Sequence, residues 1–456
     1  MPLVRTNARN RKPTDRPASA LTRLYGHARR LFSATLLNGV LGLATFAISA
    51  QALGAQSFGR LALAFTFANA VLRLANFQSW QAIIRFTARA DAAATIDPST
   101  AAGRLSLFRF GWTLDLCTAA VAAIASILIA PLAASAFDWH PQVTHAAQLY
   151  AVALMCSVDG TPTAVLRYFE RFDRLALQQI ASATLKLLLV LAVALFNGGF
   201  WAFLGAWIGG QVAAHVLLNL TAAQTLASHH RLAEWRTCQW RTAVRWPLMR
   251  YLLLSNLDGT LRVARELDVQ VVALWVDEAA AGVLRVARQL ATLVGRLVDA
   301  FYEAGYPELA RLAAAEDWRA MNRFTLASAG SSAAVATVGL LGFAALGPWF
   351  LRHAFGPEFA SAYLPTLILL VAMLVWGATQ SFSPALMSFG APGRLLINHG
   401  VAALAYLILL ATLVPTYGIS GAAVALLGLF IVWGSLTALG YQRLLTEAQS
   451  SAAGHA

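Results

Sequence analysis

Cysteine is almost absent from this chain, with three in 456 residues. Cys117 and Cys156 fall in apolar segments and Cys238 in a basic polar stretch. That spread provides neither a disulfide framework nor a cysteine metal site. Charge is also scarce, at 12% of residues against 58% hydrophobic, and the mean hydropathy is +0.61. A soluble protein of this length needs far more polar surface. A soluble α/β enzyme would show short apolar strands between charged amphipathic helices, and that pattern is missing. No Walker A pattern is present, so direct use of ATP is not supported. No polar loop is long enough for a separate catalytic domain, and the adjacent His229 and His230 read as a solvated turn. An enzyme, a metal site and a cofactor are therefore not expected.

Apolar windows of roughly twenty residues recur instead, each long enough to cross a hydrocarbon core of about 30 Å. They fall at 31–52, 61–84, 110–134, 145–166, 178–196 and 200–224, then at 247–274, 279–302, 325–347, 361–387, 396–414 and 418–440. The expected fold class is all-α, a polytopic membrane protein of about twelve transmembrane helices. Pro and Gly inside these windows are compatible with helices packed in a bundle. Residues 1–30 are polar and Arg-rich, and no clear cleavage site follows the first window, so no signal peptide is expected.

Arg and Lys outnumber Asp and Glu by 34 to 21, for a formal net charge of +13. The tail from Arg5 to Arg30 holds eight basic residues, and alternate loops (Arg85 to Arg109, Arg167 to Arg174, Arg231 to Arg245, Arg311 to Arg323, Arg394, Arg443) raise the total to 24 of the 34. The intervening loops carry only Arg60 and Arg352. Cytoplasmic loops collect positive charge, so this alternation predicts a multi-pass protein of a bacterial inner membrane with both termini cytoplasmic. The charge anchors loops beside anionic membrane lipids. Dispersed in this way it builds no groove for nucleic acid.

The two halves resemble each other. Gly59 to Arg73 matches Gly282 to Arg296 at an offset of 223, Phe137 to Gly160 resembles Phe355 to Gly377, and Gly199 and Ala202 align with Gly418 and Gly421. Six helices per half give parallel repeats about an axis along the membrane normal, a transporter architecture. The expected organisation is a basic tail at 1–30, a six-helix bundle at 31–224, a cytoplasmic linker at 225–246, a second bundle at 247–440 and a tail at 441–456, around a central cavity.

Charged residues within the spans carry the strongest functional signal, because each costs about 2.5–3.5 kcal/mol to insert at a helix centre. Seven are basic (Arg73, Lys186, Arg262, Arg265, Arg285, Arg288, Arg296) and six are acidic (Asp115, Asp159, Asp258, Glu266, Asp268, Asp299). At 100° per residue, Asp258, Arg262, Arg265 and Glu266 share one face of the seventh span. Arg285, Arg288, Thr292, Arg296, Asp299 and Glu303 form a narrow stripe on the eighth. One reading is mutual pairing, since Arg262 with Glu266 and Arg296 with Asp299 have suitable spacing. The other is a water-filled cavity in which Arg285, Arg288 and Arg296, aided by Arg262, Arg265 and Arg73, clamp an anion. Guanidinium suits phosphate because its planar fork stays charged when partly buried. The acids and Lys186 would then line the cavity or couple an ion, and no residue is expected to be catalytic.

Three local patterns add a resemblance. They are Leu53-Gly54-Ala55-Gln56-Ser57-Phe58-Gly59 followed by Ala62 and Ala64, Phe355-Gly356-Pro357-Glu358-Phe359 followed by Ala362, and Tyr417-Gly418-Ile419-Ser420-Gly421-Ala422-Ala423. Gly59 and Gly421 mark places where helices turn or approach closely. With these pieces, the repeat and twelve spans over residues 25–445, the chain resembles the polysaccharide exporters, or lipid-linked oligosaccharide flippases. Their superfamily also holds multidrug and toxic-compound extrusion transporters and the lipid II flippase. The resemblance implies a V-shaped pair of six-helix bundles working as a monomer. By alternating access it would move an undecaprenyl-diphosphate-linked repeat unit to the periplasmic leaflet for cell-surface polysaccharide, lipopolysaccharide or exopolysaccharide, with polymerase and assembly proteins as partners. The competing readings are a cation-coupled multidrug exporter, a membrane enzyme, and a non-transporting partner of envelope polysaccharide assembly.

Overall fold

In the computed structural model the described residues are 17–77, 79–94, 102–228, 246–389 and 392–454. His229, His230, Cys238 and most of the expected linker lie outside them. Regular structure among the described residues is entirely helical. The first helix, α1 (Pro17–Ala75), contains the whole first expected span and most of the second, with the chain turning at Gly54. Its φ of 71° is a left-handed value that a side chain disfavours. The last helix, α14 (Pro392–Gly454), turns in the same way at Gly418, φ 54°. A Cβ on Gly421 would overlap the carbonyl of Leu413 eight residues earlier. In a straight helix those positions are about 12 Å apart, so the chain doubles back here. The glycines with turning geometry are thus Gly54 and Gly418, while Gly59 and Gly421 allow close approach.

Between these lie α2 (Ser79–Ala94), α3 (Ala102–Phe137), α4 (Pro141–Met155), α5 (Gly160–Tyr168), α6 (Phe172–Leu195) and α7 (Phe200–Ala227). The second half holds α8 (Trp246–Val263), a 3-10 turn (Ala264–Glu266), α9 (Asp268–Trp275), α10 (Glu278–Ala314), α11 (Trp318–Ala354), a 3-10 turn (Pro357–Ala362), α12 (Tyr363–Thr379) and α13 (Phe382–Ser388). Among the described residues, eight helical stretches are long and apolar enough to cross a membrane, including Thr35–Thr87 of 53 residues and Gly393–Ser450 of 58. The eight cover ten of the twelve expected spans. The other two, 247–274 and 279–302, coincide with α8–α9 and α10, where the charged residues lower the hydropathy.

Four expected spans are broken rather than continuous, and a polar side chain reaches each break. In the second span, between α1 and α2, Asn256 Nδ2 donates to the Asn76 carbonyl at 3.4 Å. The freed backbone groups have no water to turn to in a hydrocarbon core, so protein must satisfy them. Between α4 and α5, the Asp115 carboxylate accepts the Thr161 N–H at 2.6 Å and the Ser79 hydroxyl at 2.6 Å. Between α8 and α9, Arg288 Nη1 donates to the Arg265 carbonyl and to Asp268 Oδ1, both at 2.5 Å. Between α12 and α13, Gln380 Nε2 donates to the Val298 carbonyl at 2.6 Å.

The most extensive packing between the halves is α1 against α10. The helices cross at Gly59 and Gly282: a Cβ on Gly282 would lie 2.7 Å from the Ala55 carbonyl and 3.1 Å from Gly59 Cα. One on Gly59 would overlap the Glu278 carbonyl. Gly59 and Gly282 are the residues matched by the internal repeat. Polar ties gather at this end of the bundle. Arg60 Nε binds Glu278 at 2.6 Å, Glu358 accepts the Ala55 N–H at 2.7 Å, and Gln51 donates to the His353 carbonyl at 2.8 Å.

Candidate functional site

Beyond that crossing lies a cavity of about 480 Å³, lined by the second half except for Arg73 of α1. Its volume is within the range of about 300–1,000 Å³ typical of ligand pockets. Counted along the helices at 1.5 Å per residue, Arg73 and Arg296 each stand about 21 Å from the Gly59–Gly282 contact. Arg73 comes from α1, Arg265 and Glu266 from the 3-10 turn after α8, and Arg288, Thr292, Arg296 and Asp299 from one face of α10. The remaining wall comes from α12, α13 and α14.

The structure therefore brings six of the candidate charges to one cavity: Arg73, Arg265, Glu266, Arg288, Arg296 and Asp299. Among the described residues four guanidinium groups and two carboxylates line it, and a third carboxylate, Asp268, holds Arg288 from behind, so the lining is cationic. Arg288, Arg296 and Asp299 keep the face of α10 that helical periodicity gave them, whereas Arg265 and Glu266 lie in a 3-10 turn instead of on the face of a continuous seventh helix. What periodicity could not give is their partners. Arg288 has no acid at helical spacing in its own span, yet Asp268, twenty residues earlier, binds it at 2.5 Å, with the two side chains 13% and 1% exposed. Both Nη1 hydrogens are committed to Asp268 and Arg265, leaving Nε and Nη2 for a ligand. Asp299, expected to pair with Arg296, accepts the indole N–H of Trp376 at 2.9 Å. Arg296 Nη1 instead packs over Gly39 of α1.

Five candidates do not line the cavity. Arg285 belongs to the predicted stripe, but its guanidinium lies over Phe46 and Phe65, at 5.4 and 5.2 Å from the ring centroids. Lys186 sits over Trp207 at 4.3 Å and over Phe65 of the same cluster at 5.7 Å. Aromatic faces stabilise both cations electrostatically in a desolvated site. Gly210 makes room for the Lys186 chain, since a Cβ there would lie 2.6 Å from its Cγ. Asp115 and Asp268 are consumed by the helix breaks, and Asp159 accepts from Asn76 at 3.3 Å beside the first of them. The side chains of Asp258, Arg262 and Glu303 lie outside the described residues. The sequence reading also missed the aromatic side of the cavity, Trp376, His399, Phe430 and Trp433. A search for charge within spans passes over uncharged rings.

Asp115→Ala is expected to destabilise the fold without touching the cavity. It strands the Thr161 N–H and the Ser79 hydroxyl, and a buried unsatisfied donor costs about 1–3 kcal/mol. The thermal midpoint of detergent-solubilised protein should fall, while Asp115→Asn, which keeps one acceptor, should fall less. Equal midpoints for all three proteins would remove Asp115 from its bridging role.

A family model described as "polysaccharide biosynthesis protein" matches residues 48–363. Inner membrane protein YghQ of Escherichia coli (strain K12) is 23% identical over 292 residues, 62% of this chain and 79% of that protein. Among solved structures, the inward-facing conformation of a multidrug resistance MATE family transporter of the MOP superfamily matches with a TM-score of 0.71 at 13% identity, over 93% of this chain and 99% of that one. The lipid II flippase MurJ in an inward closed conformation matches with a TM-score of 0.68 at 14% identity, over 90% and 87% of the two chains. At these identities the structural likeness is one of fold: an all-helical membrane bundle of the MATE and MurJ kind.

Proposed function

Because the chain belongs to the polysaccharide biosynthesis protein family, we propose that it is an alternating-access flippase carrying an undecaprenyl-diphosphate-linked oligosaccharide from the cytoplasmic to the periplasmic leaflet of a bacterial inner membrane. In this reading it spans the bilayer twelve times. Bundles 31–224 and 247–440 are joined by the cytoplasmic segment 225–246, and the tails 1–30 and 441–456 are cytoplasmic. The observation that carries the proposal is the cavity wall, where among the described residues Arg73, Arg265, Arg288 and Arg296 outnumber the lining carboxylates Glu266 and Asp299 and the Asp268 that binds Arg288 from behind. Guanidinium in excess of carboxylate within a bilayer is costly, and an anionic ligand offsets that cost through charge-assisted, bidentate hydrogen bonds. A lipid diphosphate meets the requirement, and its tail can stay in the bilayer while the headgroup occupies the cavity.

The basic loops set the orientation. The end closed by the Gly59–Gly282 crossing, Arg60–Glu278 and Glu358 is then periplasmic, and the cavity lies on its cytoplasmic side. This is an inward-facing state ready to load. Outward release requires the halves to part at that crossing. A cation exporter fits less well: four arginines repel a cationic substrate, and one of the two carboxylates is committed to Trp376.

Loss of the protein should leave lipid-linked repeat units accumulating in the inner membrane while cell-surface polysaccharide disappears, and plasmid-borne wild type should reverse both. Unchanged surface polysaccharide, together with lost resistance to cationic dyes, would favour the exporter. Reporter fusions within 225–245 and after Glu447 should read cytoplasmic and one at Asp138 periplasmic. A periplasmic signal from 225–245 would overturn the orientation.

A further inference from the structure

The cavity has two chemically different walls. Opposite the arginines, Trp376 of α12 stands with its indole N–H bonded to Asp299 Oδ1 at 2.9 Å. That bond ties the ring to α10, three residues beyond Arg296, and fixes the direction in which its face points. Trp433 packs behind it with centroids 4.8 Å apart, and Phe430 at 5.3 Å. His399 stacks on Trp433 at 5.6 Å with planes 23° apart. All four rings line the same cavity. Trp433 and Phe430 are 2% and 5% exposed, so they serve mainly as backing. Trp376 and His399 are only half-buried and present the accessible ring surface.

We propose that Trp376, with His399 beside it, forms a saccharide subsite on which the first sugar rings of the lipid-linked substrate stack while the diphosphate rests on the arginines. The inference rests on the flippase reading and names the part of the substrate this wall takes. A pyranose ring carries an apolar patch of C–H groups on its face and hydroxyls around its rim. The C–H groups are weak donors attracted to the electron-rich face of an aromatic ring. The hydroxyls need acceptors and donors within reach, and Glu266, Asp299, Ser383 and Thr292 line the same space. An alkyl chain would have no use for carboxylates beside the rings, and a drug cation would meet the arginines. Trp376 is not explained as packing alone, since a core tryptophan would not leave its ring half-accessible while its donor holds a cavity carboxylate. Asp299 acts here as a positioning residue, because it sets the indole orientation.

Two probes separate the walls: undecaprenyl diphosphate, and the same lipid carrying a disaccharide, each titrated against the full-length protein in nanodiscs. Wild type is expected to bind the glycosylated lipid about tenfold more tightly, the gain that one well-stacked ring supplies. Trp376→Leu should abolish that gain, so that the two lipids bind equally well. Trp376→Phe, which keeps a ring, should retain most of it. His399→Leu should reduce the gain with Trp376 in place, which keeps the proposal testable if the leucine variant at 376 fails to fold. Both lipids weakened equally by Trp376→Leu, or a gain untouched by Trp376→Leu and His399→Leu, would reduce the aromatic wall to packing. Wild type that binds the two lipids equally well would overturn the subsite and leave the flippase standing. Wild type that binds neither would overturn both.

Discussion

Arg288→Ala is expected to abolish substrate movement and to remove much of the folded protein from the membrane. Arg288 lines the cavity and also holds the break between α8 and α9, so its loss has two consequences. The Asp268 carboxylate, 1% exposed, is left buried without its cation. Removing one partner of a buried ion pair costs about 3–5 kcal/mol, because the other charge stays behind uncompensated. The Arg265 carbonyl loses its donor at the same point. The double variant Arg288→Ala, Asp268→Ala removes both charges and is expected to recover most of the abundance and thermal midpoint without recovering transport. Arg296→Ala provides the complementary case. Its nearest described contacts are Gly39 and the field of Asp299 rather than a helix break, so it should insert and fold normally yet transport poorly. Transport restored in the double variant would make Arg288 purely structural. Loss of folded protein equal to loss of transport in Arg296→Ala would do the same for Arg296.

Gly59→Ala is the second large effect. A single methyl group at this position overlaps the Glu278 carbonyl, and at Gly282 it lies 2.7 Å from the Ala55 carbonyl. Backbone atoms cannot rotate away as a flexible side chain can, so the helices must separate. Overpacking of this kind costs about 1–3 kcal/mol. Charged to the closed state alone, it shifts the balance between states by about 5- to 150-fold. A single cysteine at Val283, 4% exposed beside the crossing, reports the change. With Cys117, Cys156 and Cys238 replaced by serine, a membrane-impermeant thiol reagent should label it poorly in the wild-type background and readily with Gly59→Ala. Transport should fall sharply, since every cycle must reclose this end. Labelling and transport both at wild-type levels would mean that the crossing tolerates separation without consequence.

The membrane class, the cationic loops and the charged face of α10 were legible in the sequence, because hydropathy and a 3.6-residue period record them directly. The broken spans were not. The 145–166 and 361–387 windows do turn polar at their interruptions, at Ser157-Val158-Asp159-Gly160-Thr161-Pro162 and Thr379-Gln380-Ser381-Phe382-Ser383-Pro384. But Gly and Pro are tolerated in bundled membrane helices, and what stitches each break is a residue far away in sequence or across the bundle. Asp115 was read as a cavity charge for that reason, although it reaches a helix break 46 residues later. Arg285 shares a helix face with Arg288 but falls one turn nearer the Gly59–Gly282 contact, where Phe46 and Phe65 occupy its surroundings. Periodicity assigns a face and says nothing about the neighbour across it. Gly59 and Gly282, which the sequence reading matched to each other, meet in space. Trp376 carries no charge and interrupts no pattern, so only the assembled cavity distinguishes it from a membrane-core tryptophan.

Leaflet exchange by the purified protein is the most direct measurement. Proteoliposomes containing a fluorescent undecaprenyl-diphosphate-linked disaccharide can be exposed to a membrane-impermeant quencher that destroys only the outer-leaflet signal. With wild-type protein the protected inner-leaflet fraction should become accessible over time. With protein-free vesicles, or with Arg296→Ala, it should remain protected. A protected fraction unchanged by wild-type protein, in vesicles where the same preparation expels a cationic dye, would contradict the assignment of this cavity to a lipid-linked oligosaccharide.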